Sequence, residues 1–96
     1  MLIIVVRFIV KQQHLSLFNQ RMRQQAKDSL EREPACRRFD IGSDATDPRK
    51  IFLYEIYDDA AAFDMHLASP HFQSFNAQTQ DWIESKIVER WDGPWE

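Results

Sequence analysis

The stretch IFLYEIYDDAAAFDMHLASPHFQSF, residues 51–75, changes periodicity midway, and that change sets the fold. Its first part alternates: Ile51, Leu53, Glu55 and Tyr57 share one face of a strand, and Phe52, Tyr54 and Ile56 share the other. Both faces are mostly apolar, so the strand is covered on both sides. Asp58 and Asp59 are then natural N-caps for a short helix, AAAFDMHLA. Ser69-Pro70 restarts the helix, with Ser at the N-cap and Pro at the first helical position.

Working outward, residues 2–10 (LIIVVRFIV) are β-branched and apolar apart from Arg7, which predicts a central strand. From about residue 13 to 33, Leu15, Phe18, Met22, Ala26, Ser29 and Leu30 recur at helical spacing, and Pro34 stops that helix. ACRRFDIGSD reads as a strand with Cys36, Arg38 and Asp40 on one face and Arg37, Phe39 and Ile41 on the other. SDATDPRK is a polar turn. The second helical piece carries Phe72, Phe75, Thr79, Trp82 and Ile83 inward, and KIVERWD closes a fourth strand before GPWE.

The order strand, helix, strand, strand, helix, strand predicts an α+β, ferredoxin-like βαββαβ fold. One antiparallel sheet then has its helices on one face. Strands apolar on both sides need a second cover. We expect a homodimer whose sheets pack face to face, with RWDGPWE reaching across to the partner.

Ninety-six residues fit one domain, 1–96. A net charge of −3, with Arg and Lys scattered among acids, argues against nucleic acid. The lone Cys36 permits no intrachain disulfide and suits a reducing compartment. The apolar start is too short to span a bilayer and lacks signal-peptide features, so the expectation is a cytoplasmic protein with no membrane partner. Seven Phe, three Trp and two Tyr are many for this length; they must be buried, line a ligand or meet another subunit. With only Gly42 and Gly93, no Gly-rich phosphate loop exists.

Four residues stand out as carriers of chemistry. His66 and His71 lie five apart across the Ser-Pro break, where metal-binding pairs on one helix sit four apart. No cysteine cluster or third-ligand motif accompanies them, so no metal is expected. Imidazole titrates near neutrality, so His66 suits proton exchange; its other reading is a helix-end ring bonding the last carbonyls before Ser69. His71, in the first turn of the restarted helix, reads as a helper there or as a surface residue. Glu55, mid-strand among apolar neighbours, must be paired or protonated. It is a proton acceptor, a histidine orienter, or one half of a salt bridge to Arg7 or Arg38. Tyr57 shares its face and could bond a substrate oxygen. Phe39, Phe63, Phe72, Phe75 and Trp82, with Phe18 and Met22, wall a cavity or form plain core. Arg37, Arg38, Arg49 and Lys50 flank the polar turn and would meet a phosphate or solvent.

The segment RRFDIGSDATDPRKIFLYEIYDDAAAFDMHLASPHFQSF resembles the antibiotic biosynthesis monooxygenase family of dimeric α/β barrels. The marks are the strand ending YEIY, the acidic cap, and a histidine followed by SPHF. The nearest resemblance is to small bacterial quinol monooxygenases and autoinducer-2 phosphate processing proteins. It implies a pocket between sheet and helices that takes a quinol or hydroxyaromatic together with dioxygen. No metal, flavin or haem takes part: the protein removes a phenolic proton and the anion itself reduces dioxygen, giving a quinone and water. His66 and His71 match the family's two histidines. Haem-degrading relatives carry a ligating histidine where this chain has Asn76, so no haem is implied. Two other activities fit the resemblance: isomerising or degrading a phosphorylated autoinducer-like dione, or binding a ligand without chemistry.

Overall fold

The computed structural model describes residues 1–96. Its elements run β1 (Leu2–Val10), α1 (Leu15–Arg32), β2 (Cys36–Ser43), β3 (Lys50–Tyr57), α2 (Ala60–Ala68), α3 (Pro70–Thr79) and β4 (Ile83–Asp92). Single 3-10 turns precede α1 and follow α3. The strands form one antiparallel sheet in the order β2-β3-β1-β4, with the helices on one face. This is the expected ferredoxin-like arrangement.

Registry fixes what each face carries. Ile4 pairs Glu55, Val6 pairs Leu53 and Phe8 pairs Ile51 across β1 and β3, and all of these side chains point toward the helices. On β4, Lys86 and Val88 stand opposite Phe8 and Val6 on that same side. The core lies between this layer and the inner stripe of α1, where Phe18 and Met22 are fully buried. Phe18 meets Phe8 edge to face at 5.2 Å and Phe75 at 6.2 Å.

The helix starts follow the sequence chemistry. The Asp59 carboxylate accepts from the Ala62 amide at 2.8 Å and caps α2. Ser69 is extended, its hydroxyl accepts from the Phe72 amide at 3.2 Å, and Pro70 occupies the first turn of α3. The α2 axis therefore ends at Ala68 and α3 sets off in a new direction.

Three local expectations are corrected. A bulge between Cys36 and Arg38 shifts the β2 register. It puts Cys36 on the helix side with Phe39 and leaves Arg38 and Asp40 opposite, so a strict period of two fails there. Leu30 is exposed rather than inward, because the buried stripe of α1 passes through Gln25, Ala26 and Ser29. Trp82 lies in the 3-10 turn after α3, where it stacks on His14 at 5.7 Å, and Ile83 already belongs to β4.

The other sheet face has no helix over it and mixes apolar side chains with the Arg7–Glu89 and Arg38–Asp40 ion pairs. Phe52, Ile87 and Trp91 are 40%, 53% and 56% exposed there, beside Tyr54 and Ile56. No helix is long and apolar enough to cross a membrane.

Candidate active site

Three elements meet where α1 ends. The inner stripe of α1 is apolar through Phe18 and Met22, then turns polar at Gln25, Ser29 and Glu33, one turn apart each time. Glu33 is the C-cap residue and its carboxylate turns inward between the two short helices. His66 of α2 brings Nδ1 to 2.9 Å from Glu33 Oε2. His71, in the first turn of α3, brings Nε2 to 2.5 Å from the same oxygen. Both imidazoles are buried, and the carboxylate side chain is 13% exposed. Burial alone would raise the Glu33 pKa; hydrogen bonds from His66 and His71, and their charge, outweigh it and hold it below the ordinary carboxylate value.

The convergence corrects the spacing argument. Five residues on one continuous helix would point the rings apart, but the extended Ser69 lets α3 return toward α2. The His66 ring does not bond the last carbonyls of its helix. Instead its own carbonyl accepts from the Ser69 hydroxyl at 2.7 Å, which frees the ring to reach Glu33. The ligand atoms of Glu33, His66 and His71 lie within 4.8 Å of one another, a donor set suited to zinc or another divalent transition ion. In this arrangement the carboxylate of Glu33 already bonds one nitrogen of each ring.

On the sheet side of His66 lies a cavity of about 40 Å³. Glu55 and His66 both line it, as do Phe39, Phe63, Phe72 and Phe75. Gln25 adds a polar wall from α1 and Lys86 from β4. His66 sits in an aromatic collar, with Phe63 stacked at 5.9 Å and Tyr57 and Phe72 tilted at 5.3 and 5.0 Å. Trp82 is absent from this wall. Tyr57 is fully buried beneath it and acts on the cavity through Glu55, to which its hydroxyl donates at 2.6 Å. His71 reaches the cavity only through Glu33; with Glu33 it faces a separate groove of about 410 Å³ on the outer side.

Burial dominates the electrostatics. Glu55 is 2% exposed; desolvation, reinforced by the Glu33 charge and opposed by Tyr57 and His66, lifts its pKa from 4.5 to about 7. It therefore exchanges protons near neutral pH. Burial and the Glu55 charge push the Tyr57 phenol far up, so it stays a donor. Burial and the Glu33 and Glu55 charges push the Cys36 thiol up to about 12, which leaves it unreactive. Desolvation lowers Lys86, whose ammonium lies over Phe8 and Phe72 at 5.6 and 5.7 Å.

The salt bridges considered for Glu55 do not form. Arg7 pairs Glu89 and Arg38 pairs Asp40, both on the opposite sheet face. Arg37 pairs Asp58, and Arg49 pairs Asp47 and Glu84, so three of the four cations around the polar turn are engaged by local acids. The sequence reading missed Glu33 and Gln25. Their signal was a polar residue on a buried helical stripe, four positions either side of Ser29.

The comparisons agree with the fold. A Nitrosomonas europaea protein named for antibiotic biosynthesis monooxygenases superposes with a TM-score of 0.92 at 28% identity, covering 99% of this chain and 100% of that one. A Mycobacterium tuberculosis protein gives 0.89 at 22% identity, over 99% and 96% of the two chains. A Deinococcus radiodurans protein gives 0.90 at 16%, over 100% and 95%. The last two speak for the fold alone. No curated protein matches. The family profile described as antibiotic biosynthesis monooxygenase matches residues 1–78, the segment that carries every group around the cavity except Lys86 and Val88. This chain belongs to the antibiotic biosynthesis monooxygenase family.

Proposed function

We propose that the chain is a cofactor-independent monooxygenase that deprotonates a hydroxyaromatic, such as a quinol, in the cavity between sheet and helices. The observation that carries this reading is the Glu33–His66 pair beside an aromatic-walled cavity. Glu33 accepts from His66 Nδ1–H, so a neutral ring keeps its lone pair on Nε2. That nitrogen is the base. Glu33 then stabilises the imidazolium formed, as an acid partner does in other carboxylate–histidine pairs. Lys86 at the cavity wall favours the phenolate.

The chemistry balances without a bound redox group. The phenolic proton goes to His66, and the anion gives two electrons to dioxygen through a new ring C–O bond. The resulting hydroperoxide breaks at O–O. Hydroxide leaves with the electron pair, the ring carbon loses its proton, and a quinone and one water result. Glu55, poised near neutrality, serves as the second proton carrier, held in place by Tyr57.

A cavity of about 40 Å³ accommodates two or three waters, whereas a benzene ring occupies a cavity of roughly 150 Å³. Binding therefore opens the site, and the seam between α2 and α3 at Ser69 is where it can open. The small volume also favours the second reading, proton transfer on a compact dione by Glu55 and His66. Oxygen uptake separates them. With a quinol panel and added chelator, the first reading expects one dioxygen consumed per quinone formed. No uptake, together with isomerisation of a phosphorylated dione, would replace it with the second.

The exposed face of Phe52, Ile87 and Trp91 is the surface on which we place the homodimer, with Trp95 of the C-terminal segment, 85% exposed, reaching across. A stable interface needs about 800 Å² per partner. Sedimentation at micromolar concentration is expected to give a dimer, and Ile87→Lys to weaken it at least tenfold. A wild-type monomer would rule the interface out.

A further inference from the structure

Gln25 is a buried polar side chain with no partner. It is 2% exposed, it lines the cavity, and neither its amide nitrogen nor its amide oxygen has a hydrogen bond. The hydroxyl of Ser29, one turn on, is fully buried and also unpartnered. Thr79, equally buried, does bond a carbonyl of its own helix, at 2.8 Å. No protein group satisfies this amide, so its partners come from whatever occupies the cavity.

We infer that Gln25 is the substrate-recognition residue of this cavity, and that it selects a ligand carrying a second oxygen function besides the one His66 deprotonates. The inference deepens the hydroxyaromatic reading and rests on it. An amide offers N–H to a carbonyl or hydroxyl oxygen and accepts a hydroxyl hydrogen through its own oxygen. Gln25 enters from α1 and His66 from α2, so the two address a bound molecule from different walls. The other α1 residue on the wall, Met22, and the facing Phe75 are apolar and offer nothing to a second oxygen. A monohydroxy ring that fills the cavity would leave the amide without a partner in the complex. A dihydroxy or hydroxy-keto ring would pair both ends. Sites built to bond a substrate hydroxyl discriminate strongly against analogues that lack it.

The test is binding without turnover. Dissociation constants of hydroquinone and phenol are measured anaerobically by calorimetry for the wild type and for Gln25→Leu, a near-isosteric apolar replacement. The expected result is at least tenfold preference for hydroquinone in the wild type and none in Q25L, with phenol affinity unchanged. Q25L is also expected to melt at a higher temperature than the wild type, since it buries an apolar side chain and gives up no hydrogen bond to a protein group. An undiminished hydroquinone preference in Q25L would overturn the assignment. So would a lower melting temperature, which would mean that buried water satisfies the amide as a structural group. Failure of the wild type to bind either probe would remove the hydroxyaromatic reading and this assignment with it, whereas tight binding of both with equal affinity would remove only the role of Gln25.

Discussion

His66→Asn lowers turnover of a hydroxyaromatic substrate by about 10²–10⁴-fold, the range that a positioned general base contributes. The substitution is chosen for its shape. The asparagine amide can still donate to Glu33, so the burial of that carboxylate remains compensated, while the basic Nε2 disappears. An alanine there would also empty the centre of the Tyr57, Phe63 and Phe72 collar and confuse lost packing with lost chemistry. His71→Asn serves as the control. His71 bonds the same Glu33 oxygen yet lines the outer groove, so its loss is expected to cost no more than about tenfold. Steady-state rates of the two variants check the assignment. A His66→Asn enzyme within tenfold of the wild type would move the base elsewhere, and Glu55 is the next group on the cavity wall.

Glu55→Gln makes the protein more stable at pH 8 by about 3 kcal/mol and leaves it unchanged near pH 4. The effect comes from proton linkage. Burial lifts Glu55 from 4.5 to about 7, so the folded state holds a proton that the unfolded state releases between those values. Folding stability therefore falls as pH rises through the window from 4.5 to about 7, and the full loss persists above it. A rise of that size corresponds to about 3 kcal/mol. Glutamine keeps an oxygen to accept from Tyr57 and carries no charge to desolvate. Glu33 has the opposite sign. Its pKa is held down, so its contribution is present above the ordinary carboxylate value and is lost on further acidification, outside the Glu55 window. Urea unfolding at pH 4, 6 and 8 measures the difference. An equal effect at every pH would mean that Glu55 acts by packing rather than by charge.

The fold was legible because its signals are local. Alternation along residues 51–57, the Asp59 cap and the Ser69-Pro70 restart each act within a few residues and survive in the folded chain. The β2 bulge was not, since a register shift is decided by the neighbouring strand, and it moved Cys36 to the helix face. Glu55 and His66 were legible as a pair across one cavity, one from strand alternation and the other from the family histidine. Trp82 was misplaced because the helical period breaks into a 3-10 turn at Gln80. Glu33 looked like an ordinary helix end before proline. Only the approach of α2 and α3 makes it the group that gathers both histidines. Gln25 was hidden in the same way, as one of several glutamines on a mostly solvated helix.

In the proposed mechanism Glu33 fixes the His66 ring so that a bare Nε2 faces the cavity. Nitrogen-15 chemical shifts of the His66 ring, recorded at a pH where the ring is neutral, test it without any substrate. The account predicts a proton on Nδ1 and a lone pair on Nε2, the less common tautomer of a free imidazole, and loss of that preference in Glu33→Leu. A neutral ring protonated on Nε2 in the wild type would contradict it.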